Sequence, residues 1–154
     1  MVRSSSMSEV EKAVSCFNQG FMCSQAVLSA YAEQFGFDRD TALKVGAAFG
    51  GGMGRMGETC GAVTGAFMVI GLKYGRTAIE DRESHEKTNR LVREFVDGFK
   101  SINGSIVCRE LLGCDLSTPD GLKTFVDEKL RDTLCTKFVW DAAQIVEQLL
   151  KKPA

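Results

Sequence analysis

Six cysteines, Cys16, Cys23, Cys60, Cys108, Cys114 and Cys135, carry most of the chemical potential of this chain. Thiolates ligate soft metals, exchange disulfides and support electron transfer, and each does so to the extent that it is ionised. No two stand at CxxC spacing, so neither a thioredoxin-type dithiol nor a zinc ribbon is written locally. Any site must be assembled from separate elements. The one histidine, His85, lies in a polar stretch far from every cysteine, which excludes zinc sites needing several imidazoles and reads as a solvated residue. Glu83, Glu86, Lys87 and Arg90 read as a solvated helical face with ion pairs, not as catalytic carboxylates.

Three of the cysteines fall at expected helix starts, where free N–H groups and the helix dipole favour a thiolate. Thr59 as cap puts Cys60 in a first turn, with Arg55 upstream as a further aid. Cys108 follows Ser105 by three residues, and Cys23 opens a second helix. Cys60 is therefore expected to be the most acidic or most readily metallated thiol, provided that access through the glycine-rich segment before it outweighs burial. Cys135 sits on the apolar stripe of the last helix and faces the core by periodicity. Any single cysteine also reads as a small buried hydrophobe, and Cys16 and Cys114 stay with that reading.

The elements that must position these thiols are all helical. Ser8 caps a short helix ending at Gly20; a second runs from about Met22 to Phe35 and stops at Gly36. Asp38 or Asp40 caps a third through Phe49, which enters Gly50 to Gly57. The Cys60 helix runs to Tyr74, and its Gly61, Ala62, Gly65 and Ala66 let another backbone approach, making it the buried central helix. A charged stretch, Glu80 to Arg90, leads into a helix through Phe99 ending near Gly104. Ser105 caps Ile106 to Leu112, Ser117 or Thr118 caps a helix with Pro119 in its first turn, and an apolar face from Cys135 to Leu149 closes the chain. The fold class is all-α, one compact domain over residues 8–152 with about six or seven helices, preceded by a disordered segment, residues 1–7. Gly52 to Gly57 satisfies GxGxxG, but a helix precedes it and no βαβ unit follows, so no nucleotide is expected.

At 154 residues, 44% hydrophobic and 25% charged, the chain can bury a core without staples. Its net charge of -1, with both signs interleaved, leaves no broad basic surface for nucleic acid or anionic lipid. The longest apolar run, Cys60 to Leu72, is short of the roughly 20 residues a membrane span needs. No secretory leader is read in Met1 to Met7, so a cytoplasmic location is expected. There the cysteines point to metal or redox chemistry more than to a disulfide framework.

The ordered series Cys23-Ser24-Gln25-Ala26, Phe49-Gly50-Gly51-Gly52-Met53-Gly54, Cys60-Gly61-Ala62-Val63-Thr64-Gly65, Cys108-Arg109-Glu110-Leu111 and Cys135 resembles the C_GCAxxG_C_C family of redox-active proteins. The resemblance implies a helical protein whose four defining cysteines are Cys23, Cys60, Cys108 and Cys135, as redox-active residues and metal ligands, with Gly61 and Gly65 completing the motif at the cofactor. A related domain in split-Soret cytochrome c carries an iron–sulfur cluster beside haem. This chain has no CxxCH for haem, so the cluster alone carries over, and four cysteines are what a 2Fe-2S cluster takes. The expected function is electron transfer with an unidentified redox partner protein. The alternatives are a dithiol/disulfide oxidoreductase or redox sensor, and a non-redox helical accessory module. Gly- and Ala-rich helix surfaces further suggest a twofold homodimer.

Overall fold

A computed structural model describes residues 6–152. It is all-α among the described residues, with eight α-helices where six or seven were expected. Of the segment read as disordered, residues 1–5 lie outside the described residues, and Ser6 and Met7 are exposed and without regular structure. Helix α1 (Glu9–Asn18) starts as expected: Ser8 Oγ accepts from Glu11 N–H while the Glu11 carboxylate accepts from Ser8 N–H, a reciprocal cap. Helix α2 (Cys23–Ala32) ends in a 3₁₀ turn and a left-handed Gly36. Asp38, not Asp40, caps α3 (Arg39–Gly46), which tightens into a 3₁₀ turn at Ala47–Phe49.

Helix α4 (Gly61–Tyr74) is the buried centre and packs against α2, α5 and α8. Its approach to α2 rests on two glycines one turn apart. A Cβ at Gly65 would lie 3.0 Å from the Ser24 carbonyl oxygen and 3.1 Å from Val27 Cβ, and one at Gly61 would lie 2.5 Å from Cys23 Sγ. Ser24, fully buried there, donates from its hydroxyl to the Gly46 carbonyl at 2.7 Å, which ties α3 to the same seam. Helix α5 (Arg82–Asn103) is one continuous 22-residue helix capped by Asp81, so the charged stretch belongs to it. It buries Leu91, Phe95 and Phe99 at four-residue spacing and leaves the charged face in solvent.

The last third departs most from the reading. Helix α6 is only Cys108–Leu112: Ser105 Oγ accepts from Val107 N–H, and the helix begins after Val107. Thr118 caps α7 (Pro119–Asp127). A π-helical turn, Arg131–Cys135, then leads without a break into α8 (Thr136–Lys151), whose buried stripe of Phe138, Val139, Ala142, Ala143, Val146 and Leu149 closes on α1, α4 and α5. No helix of the described residues is long and apolar enough to cross a membrane.

Candidate functional site

Cys23, Cys60, Cys108 and Cys135, separated by up to 112 residues in sequence, line one cavity of about 190 Å³. That is well above the 10–15 Å³ that admits a single water. Each thiol arrives from a different element. Cys23 is the first residue of α2, and Cys60 is itself the N-cap of α4, a place expected for Thr59. Thr59 instead pairs with Val107 in an isolated antiparallel bridge. Around that bridge Cys60 N–H donates to the Ile106 carbonyl at 2.7 Å and Cys108 N–H to the Glu58 carbonyl at 2.6 Å. Those bonds set Cys60 and Cys108 alongside each other, and the π turn delivers Cys135 from the other side. Its periodicity reading, an inward face, and its place on the cavity are compatible, because this wall of the cavity is part of the core.

The glycine-rich segment is what lets the thiols close up. Gly51, Gly52, Met53, Gly54 and Arg55 all have φ between 58° and 69°, a left-handed turn that L side chains rarely adopt. Two of its carriers are not glycine, so the turn is held by its surroundings. A Cβ at Gly52 would fall 2.7 Å from Cys108 Cβ and 2.5 Å from Glu58 N, which makes this position one that only glycine fits. GxGxxG here is a backbone fold over sulfur, set between two helices.

The electrostatics reverse the expectation for Cys60. The Cys23 thiol is held down at about 7, first by the hydrogen bond from Cys60, against burial, and then by N–H groups of Gly51, Ser24 and its own residue. Cys60 is pushed well above the usual thiol range by that same hydrogen bond, by burial and by the Cys23 charge; the N–H groups of Ala62 and Val63 oppose this without prevailing. The helix α4 dipole loses to the neighbouring thiolate. Arg55 has no part in either shift. Burial chiefly pushes Cys108 up to about 12, the nearby Cys23 charge adding, and its five-residue helix is too short to offset that. Cys135 is likewise pushed up to about 12 by burial and by Cys23 and Cys108, with Arg131 opposing.

Of the motif glycines, Gly61 lines the cavity whereas Gly65 packs against α2 away from it. Cys16 lies outside, its sulfur 3.6 Å from Ser29 Oγ. Cys114 does not line the cavity, but its thiol is close enough to be felt by Cys108 and Cys135. His85 is on the exposed face of α5. Sequence reasoning missed Arg131, which lines the cavity; its signal was a cation one turn before a cysteine. Arg55 lines the cavity at the rim, most of the remaining wall is apolar, with Phe17, Leu112, Phe125 and Phe138 among its members, and no carboxylate or imidazole lines it.

This donor set suits a soft metal centre. Among the described residues no group of three or more His, Cys, Asp or Glu is gathered closely enough to hold one metal ion. A two-iron cluster would take two thiolates on each iron, and the cavity supplies that number of thiols.

A family model described as "Putative redox-active protein (C_GCAxxG_C_C)" matches residues 21–149, most of the chain. No curated protein and no solved structure matches it.

Proposed function

The chain belongs to the C_GCAxxG_C_C family of redox-active proteins, and from that premise we propose that it transfers electrons through a 2Fe-2S cluster held by Cys23, Cys60, Cys108 and Cys135. The observation that carries this reading is the convergence of four thiols from four elements on one apolar cavity free of other ligand types. The cluster, when bound, would supply one-electron chemistry. The chain's own residues do the rest. The Gly51 and Ser24 N–H groups hold charge on Cys23, the N–H groups of Ala62 and Val63 face Cys60, and the walls of Phe17, Leu112, Phe125 and Phe138 exclude water. A redox partner protein would exchange the electron at the cavity mouth.

A second reading is favoured by the Cys23–Cys60 contact. A thiolate near pH 7 beside a protonated thiol is the arrangement of a dithiol that reduces a partner disulfide. Cys23 would attack, forming a mixed disulfide and releasing one partner thiolate; Cys60, losing its proton, would then displace the second and leave a Cys23–Cys60 disulfide. Anaerobic purification followed by visible absorption and iron and sulfide analysis separates the two. Colour with about two irons per chain supports the cluster. A metal-free protein whose thiol titre rises by about two on reduction supports the dithiol. Neither result would overturn both and leave the cysteines as packing residues.

A further inference from the structure

The cavity has a sign. Two charged side chains line it, Arg55 and Arg131, and both are cationic. They sit differently. Arg55 is exposed at the rim, on the left-handed turn. Arg131 is part-buried, and three contacts fix its guanidinium: it lies 3.8 Å over the Phe17 ring, and Nη2 donates to the Phe17 carbonyl at 2.5 Å and to the Phe21 carbonyl at 3.0 Å. Those carbonyls belong to the C-terminal turn of α1, whose carbonyl end attracts cations, and to the link into α2. One face of the fork is thus stacked and one edge bonded, which holds the charge against the wall that Phe17 and Arg131 share. A lysine has no plane to stack on that ring.

The backbone supplies a second reason. Arg131 opens the π turn that Cys135 closes. Such turns are rare and concentrate at functional sites. Here the turn puts the guanidinium and a cavity sulfur on one element. The lining offers no other part-buried cation and no carboxylate to offset this one.

We propose that Arg131 is the fixed positive charge of the thiol cavity, a positioning residue whose guanidinium makes the cavity electropositive. This deepens the redox reading and rests on it for the purpose of a cation beside the four sulfurs. The consequence reaches beyond the thiols: small anions should enter this cavity in preference to neutral molecules of the same shape.

The test uses two alkylating reagents of nearly equal size, iodoacetate and iodoacetamide, on the reduced, metal-free full chain, with rates read at each cysteine by peptide mass spectrometry. The same thiolate attacks both, so the ratio of rates cancels thiolate content and reports local potential. Cys23 and Cys135 are part-exposed, and Cys16, outside the cavity, is the internal reference. The anionic-to-neutral ratio should be higher at Cys23 and Cys135 than at Cys16. Arg131→Gln should lower it by about fivefold at Cys135, which closes the turn that Arg131 opens and whose thiol feels its charge, and by less at Cys23. Arg131→Lys should hold it within about twofold of the native value, since the charge remains. Equal ratios at Cys135 and Cys16 in the native chain would overturn the proposal, and that comparison stands even if Arg131→Gln does not fold. So would an unchanged ratio in a folded Arg131→Gln chain, which would leave Arg131 a structural strap. Iron and sulfide content is measured separately: a high ratio in a chain that never binds iron sinks the cluster and keeps Arg131, while a bound cluster with a flat ratio does the reverse.

Discussion

Two regions meet at Phe138 and are built on opposite principles. On one side runs an aromatic row, Phe67, Phe95, Phe99 and Phe138, with ring centroids 5.9, 6.0 and 6.2 Å apart in succession. On the other lies the cysteine cavity, which Phe138 also lines. The row is made by adding side-chain volume from α4, α5 and α8, as cores generally are. The cavity is made by removing it: Gly50, Gly52 and Gly61 leave space that Met22, Cys108 and Cys23 occupy. The lesson is a division of labour, in which stability depends on the row and thiol chemistry on the glycines.

The strongest way to break that comparison is Phe95→Ala. Phe95 is fully buried in the row and does not line the cavity. Its truncation should cost about 3–5 kcal/mol in denaturant unfolding, while the order of cysteine alkylation stays native. A changed order would mean that the two regions are not separable. Next in size is Gly61→Ala. The new Cβ would fall 2.5 Å from Cys23 Sγ and 3.0 Å from the Phe49 carbonyl oxygen, so sulfur or backbone must move. Overpacking of this kind costs about 1–3 kcal/mol. Here it should also slow Cys23 alkylation, whereas Gly65→Ala, crowding α2 away from the cavity, should destabilise without that loss.

The same division explains what the sequence made legible. Periodicity and caps announced the helices, because Ser8, Asp38 and Thr118 act through neighbours three residues away and need no tertiary context. Gly61 and Gly65, spaced by one turn, announced a close backbone approach. The ordered cysteines announced the family. What stayed hidden depends on partners distant in sequence. The Thr59–Val107 bridge moved two expected helix starts by pairing segments 48 residues apart, and no local signal marks it. The neighbouring Cys23 reversed the acidity expected of Cys60 for the same reason: the dipole of α4 can be read from sequence, but the thiolate opposite its end cannot.

A smaller effect, confined to chemistry, is expected from Cys60→Ala. With its donor gone, Cys23 should titrate above about 7 and towards the ordinary range near 8.5. Alkylation of Cys23 against pH in the reduced, metal-free chain would show the midpoint rising. The linkage has a sign. A thiol whose folded value is depressed adds stability above its unfolded value, and that stability is lost as pH falls through about 7. Cys108 and Cys135, raised to about 12, act oppositely: they favour the fold below about 8.5 and cease to as pH climbs through 12. Between pH 7 and 8.5 the native chain should therefore gain slightly on the Cys60→Ala chain. A Cys23 midpoint unmoved by the substitution would show that the loop N–H groups alone hold the charge.

The smallest expected effect bears on what holds the glycine loop against α6. Arg109 Nη1 lies 3.0 Å from Glu58 Oε1, directly over the bridge that joins Cys60 and Cys108, and invites the reading that an ion pair clamps the site. Both side chains are nearly half exposed, and such pairs are screened by water and salt and must also be held in one geometry against rotamer entropy. The backbone beneath is better placed to do the holding. Cys60 N–H to Ile106, Cys108 N–H to Glu58 and Arg109 N–H to Gly57, at 2.7, 2.6 and 3.1 Å, are untouched by a change of side-chain charge. Gly52, where a Cβ would strike Cys108, is untouched as well. Glu58→Gln should accordingly leave the unfolding midpoint and the Cys23 alkylation profile at native values, at low salt and at high. Gly52→Ala, six positions away on the same loop, should disturb both. Should Glu58→Gln instead slow Cys23 or loosen the chain in a salt-dependent way, the cavity would owe its shape to charge and not to missing side chains, and the contrast with the aromatic row would have to be redrawn on electrostatic grounds.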